Sequence, residues 1–331
     1  MSLRWAVVGC GDITNKAVAP AISQHPDAEL VAFFSNSPER AEQMREAHGA
    51  SRASSDLSEV VQADDVDAVY VASPVHRHAA ESITAMRAGK HVICEKPMAL
   101  TVAAGERMIE AAEEAGVNFT VAYYRRFFPK ARKIRAILDD GAIGVPIVCE
   151  ITICCRPDIA ADSPKSWRLR SDESGGGALM DVGSHRLDLA CYFLGNPSEV
   201  CGYADSLDRG DEMEVPDTEC LLARMQSGAH LHCTASWATR GRADELVIRG
   251  TEGTIEARPF DGGMLRVTRG GETEEFDLPP AENWHYPLID DFTRAIIEGR
   301  EPEFTGRDGI QASRLMAGCY QSSETGKSVE V

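Results

Sequence analysis

The stretch Leu3-Arg4-Trp5-Ala6-Val7-Val8-Gly9-Cys10-Gly11-Asp12-Ile13-Thr14 decides the fold. Its apolar run 3–8 reads as a buried strand that stops at Gly9. Gly9 permits a tight turn and Gly11 lets a pyrophosphate approach the backbone. The helix opening at Asp12 and Ile13 then supplies amide donors and a partial positive charge. Thr14 stands where a third Gly or Ala is usual, so the fingerprint alone is weak. Its surroundings decide. Outward from it come a helix-like stretch 13–25, a second strand 29–34, and a helix opened by Ser37-Pro38 and running to about His48. Asp67–Ala72 is a further strand, followed by a helix over 76–88 that Gly89 stops. A strand His91–Cys94, a helix 101–115 ending at Gly116 and a strand 118–122 complete the series. Such alternation implies right-handed parallel crossovers and a doubly wound sheet, whose ligands bind beyond the carboxyl ends of the strands. Residues 1–123 are expected to form a dinucleotide-binding Rossmann domain.

After about residue 123 the rhythm changes. A helix over 127–140, a strand over 146–154, an irregular stretch 157–177 and a helix over 178–194 lead into six short strand patterns. These span 198–205, 217–226, 229–237, 243–249, 253–257 and 264–277, with turn signals such as Gln226-Ser227-Gly228 and Arg269-Gly270-Gly271. Helices at 284–299 and 306–326 close the chain. The expected second domain, 124–331, is thus α+β on an open, mostly antiparallel sheet, serving substrate binding and oligomerisation. Its open face is the expected surface of a homo-oligomer.

Composition bounds the function. Of 331 residues, 43% are hydrophobic and 26% charged, which is enough apolar material for two globular domains. The formal net charge of −18 repels phosphate backbones and argues against nucleic acid. No apolar run approaches the roughly 18 residues of a membrane span, and the N-terminus enters a strand without a signal-peptide layout. Ten cysteines include no Cys-x-x-Cys pair, so reduced thiols and a cytoplasmic location are expected. His230-x-His232-Cys233 is the one metal-like cluster. No second ligand pair follows, so it reads as a half-exposed strand, and no metal is expected.

The end of the second strand selects the dinucleotide. A carboxylate there would hold the ribose 2′-hydroxyl of NAD; this chain has Ser35-Asn36-Ser37-Pro38-Glu39-Arg40. The first positions are uncharged, and Arg40 can bind a 2′-phosphate through charge-assisted hydrogen bonds. NADP is therefore expected over NAD, against the plainer reading in which Ser37 caps a helix and Arg40 is solvated.

Glu95-Lys96-Pro97 follows the strand His91–Cys94 and sets an ammonium at a strand tip. With its flanks, Gly89-Lys90-His91-Val92-Ile93-Cys94-Glu95-Lys96-Pro97-Met98-Ala99 resembles the hallmark of the glucose–fructose oxidoreductase and inositol dehydrogenase family (Gfo/Idh/MocA). The resemblance extends along essentially the whole chain. It includes the glycine turn, Ser73-Pro74 with His78, Tyr124-Arg125-Arg126-Phe127, Trp167-Arg168, the run Gly175–His185, and Asn283-Trp284-His285-Tyr286-Pro287. Thr14 and Val75 depart from the commoner pattern, while Ser35 and Arg40 look like the NADP-preferring branch. The resemblance implies that Lys96, Asp181 and His185 are the catalytic trio. It also implies cofactor contacts from Gly9, Gly11, Asp12, Ile13, Ser35, Asn36, Arg40, Ser73, Pro74, His78, Glu95 and Lys96. Trp167, Arg168 and Tyr286 would line the nicotinamide end, with Arg126 and His285 touching substrate.

Asp181 and His185 are four apart and share a helix face, after three glycines that would allow close backbone approach to a ligand. The expected activity is NADP-dependent oxidoreduction between a CH–OH group and a carbonyl on a sugar, polyol or related substrate. His185 would be the general base, with Asp181 orienting it and Lys96 stabilising the alkoxide. Two other readings stand beside it: a relative that holds its nucleotide tightly for net non-redox chemistry such as glycoside cleavage, and a catalytically silent nucleotide-binding regulator. Retention of all three polar residues argues against the last.

Overall fold

The computed structural model describes residues 2–331. Two compact units make up the chain: Met1–Tyr124 with Ala281–Ile310, and Arg125–Pro280 with Gln311–Val331. The first unit thus takes back a segment that a single division at residue 123 leaves in the second.

The first unit is built on six parallel strands: β1 (Leu3–Val8), β2 (Ala28–Phe34), β3 (Arg52–Ser54), β4 (Ala68–Val71), β5 (His91–Cys94) and β6 (Phe119–Val121). They lie in the order β3-β2-β1-β4-β5-β6. This is the doubly wound arrangement, whose switch point falls between β1 and β4. Trp5–Val8 of β1 and all of β4 are wholly buried, which is why these strands read as unbroken apolar runs. Ser37 caps the helix Pro38–His48 through its side chain, and Thr101 caps Val102–Ala115; Gly49 and Gly116 end them in the left-handed region. The returning segment adds the helix Tyr286–Glu298, whose Phe292 ring lies 5.7 Å from that of Trp5. Asn283 ties it to the first helix by donating to the Ala17 carbonyl at 3.0 Å.

The second unit carries a nine-stranded sheet. Its strands are β7 (Pro146–Cys154), β8 (Pro197–Asp205), β9 (Thr218–Met225), β10 (His230–Ser236), β11 (Ala243–Gly250), β12 (Gly253–Ala257), β13 (Met264–Arg269), β14 (Glu272–Asp277) and β15 (Val329–Glu330). The order is β14-β13-β12-β11-β7-β10-β9-β8-β15, antiparallel except where β7 meets β10. The single pattern read over 264–277 is two strands, folded at Gly270-Gly271, both at positive φ. The helix Ser184–Leu194 is buried at nearly every residue. Ion pairs satisfy the charges taken inside. Arg126 meets Asp188 through two bonds of 2.7 and 2.8 Å, and Arg186 lies between Asp244 and Asp261. Among the described residues no helix is long and apolar enough to cross a membrane, and no His, Cys, Asp and Glu group could hold a metal ion. All ten cysteines are free thiols.

Candidate active site

In the first unit, the glycine turn joins β1 to a helix that passes through a π turn at Thr14–Val18 and continues as Ala19–Gln24. Gly9 has φ +107°, and a Cβ on it would lie 2.6–2.7 Å from the Ala72 carbonyl and the Ser73 nitrogen. Glycine is required there because the ends of β1 and β4 touch. A Cβ on Gly11 would meet nothing within 4 Å, so that flank is open. Thr14 is buried, and its hydroxyl donates to the Gly9 carbonyl at 2.6 Å. The unusual third residue therefore staples the helix to the turn. Burial pushes the Cys10 thiol up to about 11, with the Arg40 charge acting in the opposite sense.

At the tip of β2, Ser35 is half-buried and Asn36 exposed. Asn36 accepts a 2.9 Å hydrogen bond from Arg77, a residue the sequence reading passed over. The Arg77 guanidinium also sits 5.8 Å from the Phe34 ring centre and pairs with Glu81. It comes from the helix Val75–Arg87, whose N-terminal boundary is Pro74. The only signal for it in the sequence was its place in the turn after Ser73-Pro74. His78 is buried, with Nδ1 3.0 Å from the Pro97 carbonyl and Nε2 2.8 Å from that of Ser73. Its ring thus braces the end of β4 against the Lys96-Pro97 step, which is a cis peptide bond.

Lys96 follows a buried network. Glu95 accepts from the Tyr70 hydroxyl at 2.8 Å and from the Lys96 backbone N–H at 3.0 Å; His285 Nε2 lies 3.2 Å from it. Burial alone would raise the Glu95 carboxyl. His285, the Lys96 charge and Tyr70 together hold it below its ordinary value. His285 is wholly buried, and its ring lies 4.4 Å from that of Tyr124. In this arrangement it supports Glu95. Tyr286 starts the closing helix with its ring 5.9 Å from that of His25.

In the second unit, Asp181 lies in a π turn, Leu179–Gly183, that runs directly into the helix Ser184–Leu194 bearing His185. Asp181 is half-buried and His185 is buried. Such π turns recur at functional sites. Arg168, from the short turn Ser166–Leu169, places Nη1 4.0 Å from Asp181 Oδ2, and its guanidinium lies 5.4 Å from the Trp167 ring centre. Arg126 is buried with Asp188 and also faces the Tyr192 ring, so this guanidinium is engaged inside the unit. Of the three glycines, Gly175 ends the turn Ser171–Ser174 at φ +77°, and the other two are closely packed. A Cβ on Gly176 would lie 2.2 Å from the Tyr320 hydroxyl, and one on Gly177 would lie 1.7 Å from the Pro216 carbonyl. Close packing inside the protein requires Gly176 and Gly177.

Comparison with known proteins agrees with this geometry. A family model described as "Oxidoreductase family, NAD-binding Rossmann fold" matches residues 3–123, and the GFO/IDH/MocA C-terminal domain matches 131–256. The chain is 30% identical over 337 residues to 1,5-anhydro-D-fructose reductase of Ensifer adhaerens, covering 99% of this chain and 98% of that protein. The crystal structure of an aldose–aldose oxidoreductase from Caulobacter crescentus complexed with glycerol superposes with a TM-score of 0.91 at 29% identity, covering both chains completely. Levoglucosan dehydrogenase in complex with NADH and levoglucosan gives 0.89 at 26% identity, covering 100% of this chain and 99% of that one.

Proposed function

Because the chain belongs to the Gfo/Idh/MocA oxidoreductases, we propose that it is an NADP-dependent enzyme acting on a sugar or polyol, with Lys96, Asp181 and His185 serving one substrate oxygen. The observation that carries the reading is the placement of Lys96 at a β5 tip, immediately after a buried carboxylate held in its charged form.

A dinucleotide fits the first unit. The open flank of Gly11 and the exposed start of the helix behind it suit a pyrophosphate. Ser35, Asn36 and Arg40, with Arg77 beside them, offer hydroxyl, amide and cationic groups for a phosphorylated ribose. The bound cofactor would give or accept the hydride. The protein handles the proton. In the oxidative direction His185 takes it from the substrate hydroxyl, Asp181 orients the imidazole and offsets its positive charge, and Lys96 donates a hydrogen bond to the oxygen as negative charge develops. Reduction runs through the same groups in reverse. The named substrates of the relatives, anhydrofructose and levoglucosan, support a cyclic sugar as the substrate class.

The open face of the second sheet supports a homo-oligomer. Tyr203 and Leu222 share that face and are 73% and 55% exposed. The function is tested by titrating NADPH and NADH by fluorescence and continuing with a panel of sugars, inositols and dicarbonyls. Turnover that releases free NADPH or NADP supports the proposal. Tight nucleotide binding with no turnover on any of them contradicts it.

A further inference from the structure

The helix that carries Asp181 and His185 begins without a side-chain cap of its own, and a helix leaves its first amides in need of acceptors. Its opening turn lies against two side chains from elsewhere in the second unit. Gly176 and Gly177 do not have positive φ, so contact and not conformation explains them. A Cβ on Gly177 would come within 3.0 Å of Glu219 Oε1, and one on Gly176 within 2.2 Å of the Tyr320 hydroxyl.

Glu219 stands on β9 in the same phase as Leu221, Ala223 and Met225, facing the core, and it has no exposed surface. Its Oε1 accepts from the Tyr320 hydroxyl at 3.1 Å, while Oε2 is buried without a partner. The backbone amides of Leu179 and Gly177 lower the carboxyl electrostatically, against the rise that burial causes. A carboxyl from a neighbouring strand thus packs against the uncapped start of this helix.

We propose that Glu219 is a positioning residue for catalysis: it fixes the turn that carries Asp181 and sets the first turn of the His185 helix, and Tyr320 holds it in place. This rests on the assignment of His185 as the proton-transferring group. Burial pushes the Glu219 carboxyl up to about 8, so at neutral pH it is largely protonated and a glutamine reproduces its charge and its acceptor.

The test is a cycle of Glu219→Ala, His185→Ala and the double variant, with Glu219→Gln as the conservative control. Glu219→Ala is expected to lower kcat about a hundredfold, the scale of a misplaced catalytic group, while NADPH affinity changes less than about threefold. Glu219→Gln is expected to recover most of the loss, and the double variant to be no slower than His185→Ala. A kcat near wild type in Glu219→Ala, or losses that multiply in the double variant, would overturn the proposal. If Glu219→Ala does not fold, Tyr320→Phe carries the test: kcat should fall about fivefold, the worth of one hydrogen bond, and an unchanged kcat overturns it. Wild-type turnover in His185→Ala would instead remove the His185 assignment, and this inference with it.

Discussion

Two buried glutamates stand behind the proposed chemistry, one in each unit, and their surroundings drive them in opposite directions. Glu95 and Glu219 are both enclosed, at 8% and 0% exposure. Glu95 is held below its ordinary value because, against the cost of burial, it has His285, the Lys96 charge and the Tyr70 hydroxyl. Glu219 has the same burial cost but only a tyrosine hydroxyl and backbone amides to offset it. The nearby Asp217 charge adds to the rise, and its value reaches about 8. The difference shows that the donors around a buried carboxyl set its charge, and that burial alone does not. Beside Lys96 the protein keeps an anion; beneath the His185 helix it keeps a neutral acceptor.

The comparison can be broken at several points, in order of decreasing effect. Lys96→Met removes the cation that Glu95 faces. Turnover should fall about a thousandfold, the scale of losing a donor to a developing oxyanion, while NADPH affinity stays within a few fold. Near-wild-type turnover would take Lys96 out of the mechanism. Glu95→Gln leaves His285 and Lys96 without their buried anion and should cost about 3 kcal/mol in urea unfolding at pH 7. Because the folded value of Glu95 is depressed, wild type should hold that advantage above the ordinary carboxylate range and lose it as pH falls through the folded value. A constant gap down to pH 3 would show that the folded value of Glu95 is not depressed.

Arg40→Ala probes the nucleotide end of the same unit. It should weaken NADPH about tenfold, roughly 1.4 kcal/mol, and NADH much less; equal losses would reject the 2′-phosphate assignment. A pH-dependent effect, read on stability and not on binding, concerns Glu219→Gln. The folded value of Glu219 is raised, so wild type loses stability as pH rises from the ordinary glutamate value towards about 8. The glutamine variant should gain on it by up to about 1.4 kcal/mol per pH unit in that window. Unfolding midpoints at pH 6 and pH 8 measure the gap, and a gap that does not grow would place an ionised carboxylate beneath the helix at both.

The parallel sheet was legible because its central strands are buried on both faces and read as apolar runs, and because Ser37, Thr101, Gly49 and Gly116 are strong helix punctuation. The edge strand β3 escaped: Arg52-Ala53-Ser54 is three half-buried residues with no apolar alternation. So did β15, which is only Val329-Glu330. Leu288, Ile289, Phe292 and Ile296 announced a buried helix face, but periodicity does not say whose core receives it. That is why 281–310 was not assigned to the first unit. Both π turns were invisible, since an extra residue in a helical turn leaves no mark in residue type. Glu219 had a readable signal, a carboxylate on the buried phase of an alternating strand. Arg77 had none that could place it at the tip of β2. Lys96, Asp181 and His185 are proposed on a family resemblance, because a lysine at a strand tip and an Asp–His pair at helical spacing are common without function.

The most direct test of the central claim is a crystal structure with NADP bound and the sugar that turnover identifies. Lys96 Nζ and a His185 ring nitrogen should both lie about 2.6–3.2 Å from the same substrate oxygen. A bound sugar whose reacting oxygen meets only one of them, or neither, would contradict the shared-oxygen mechanism.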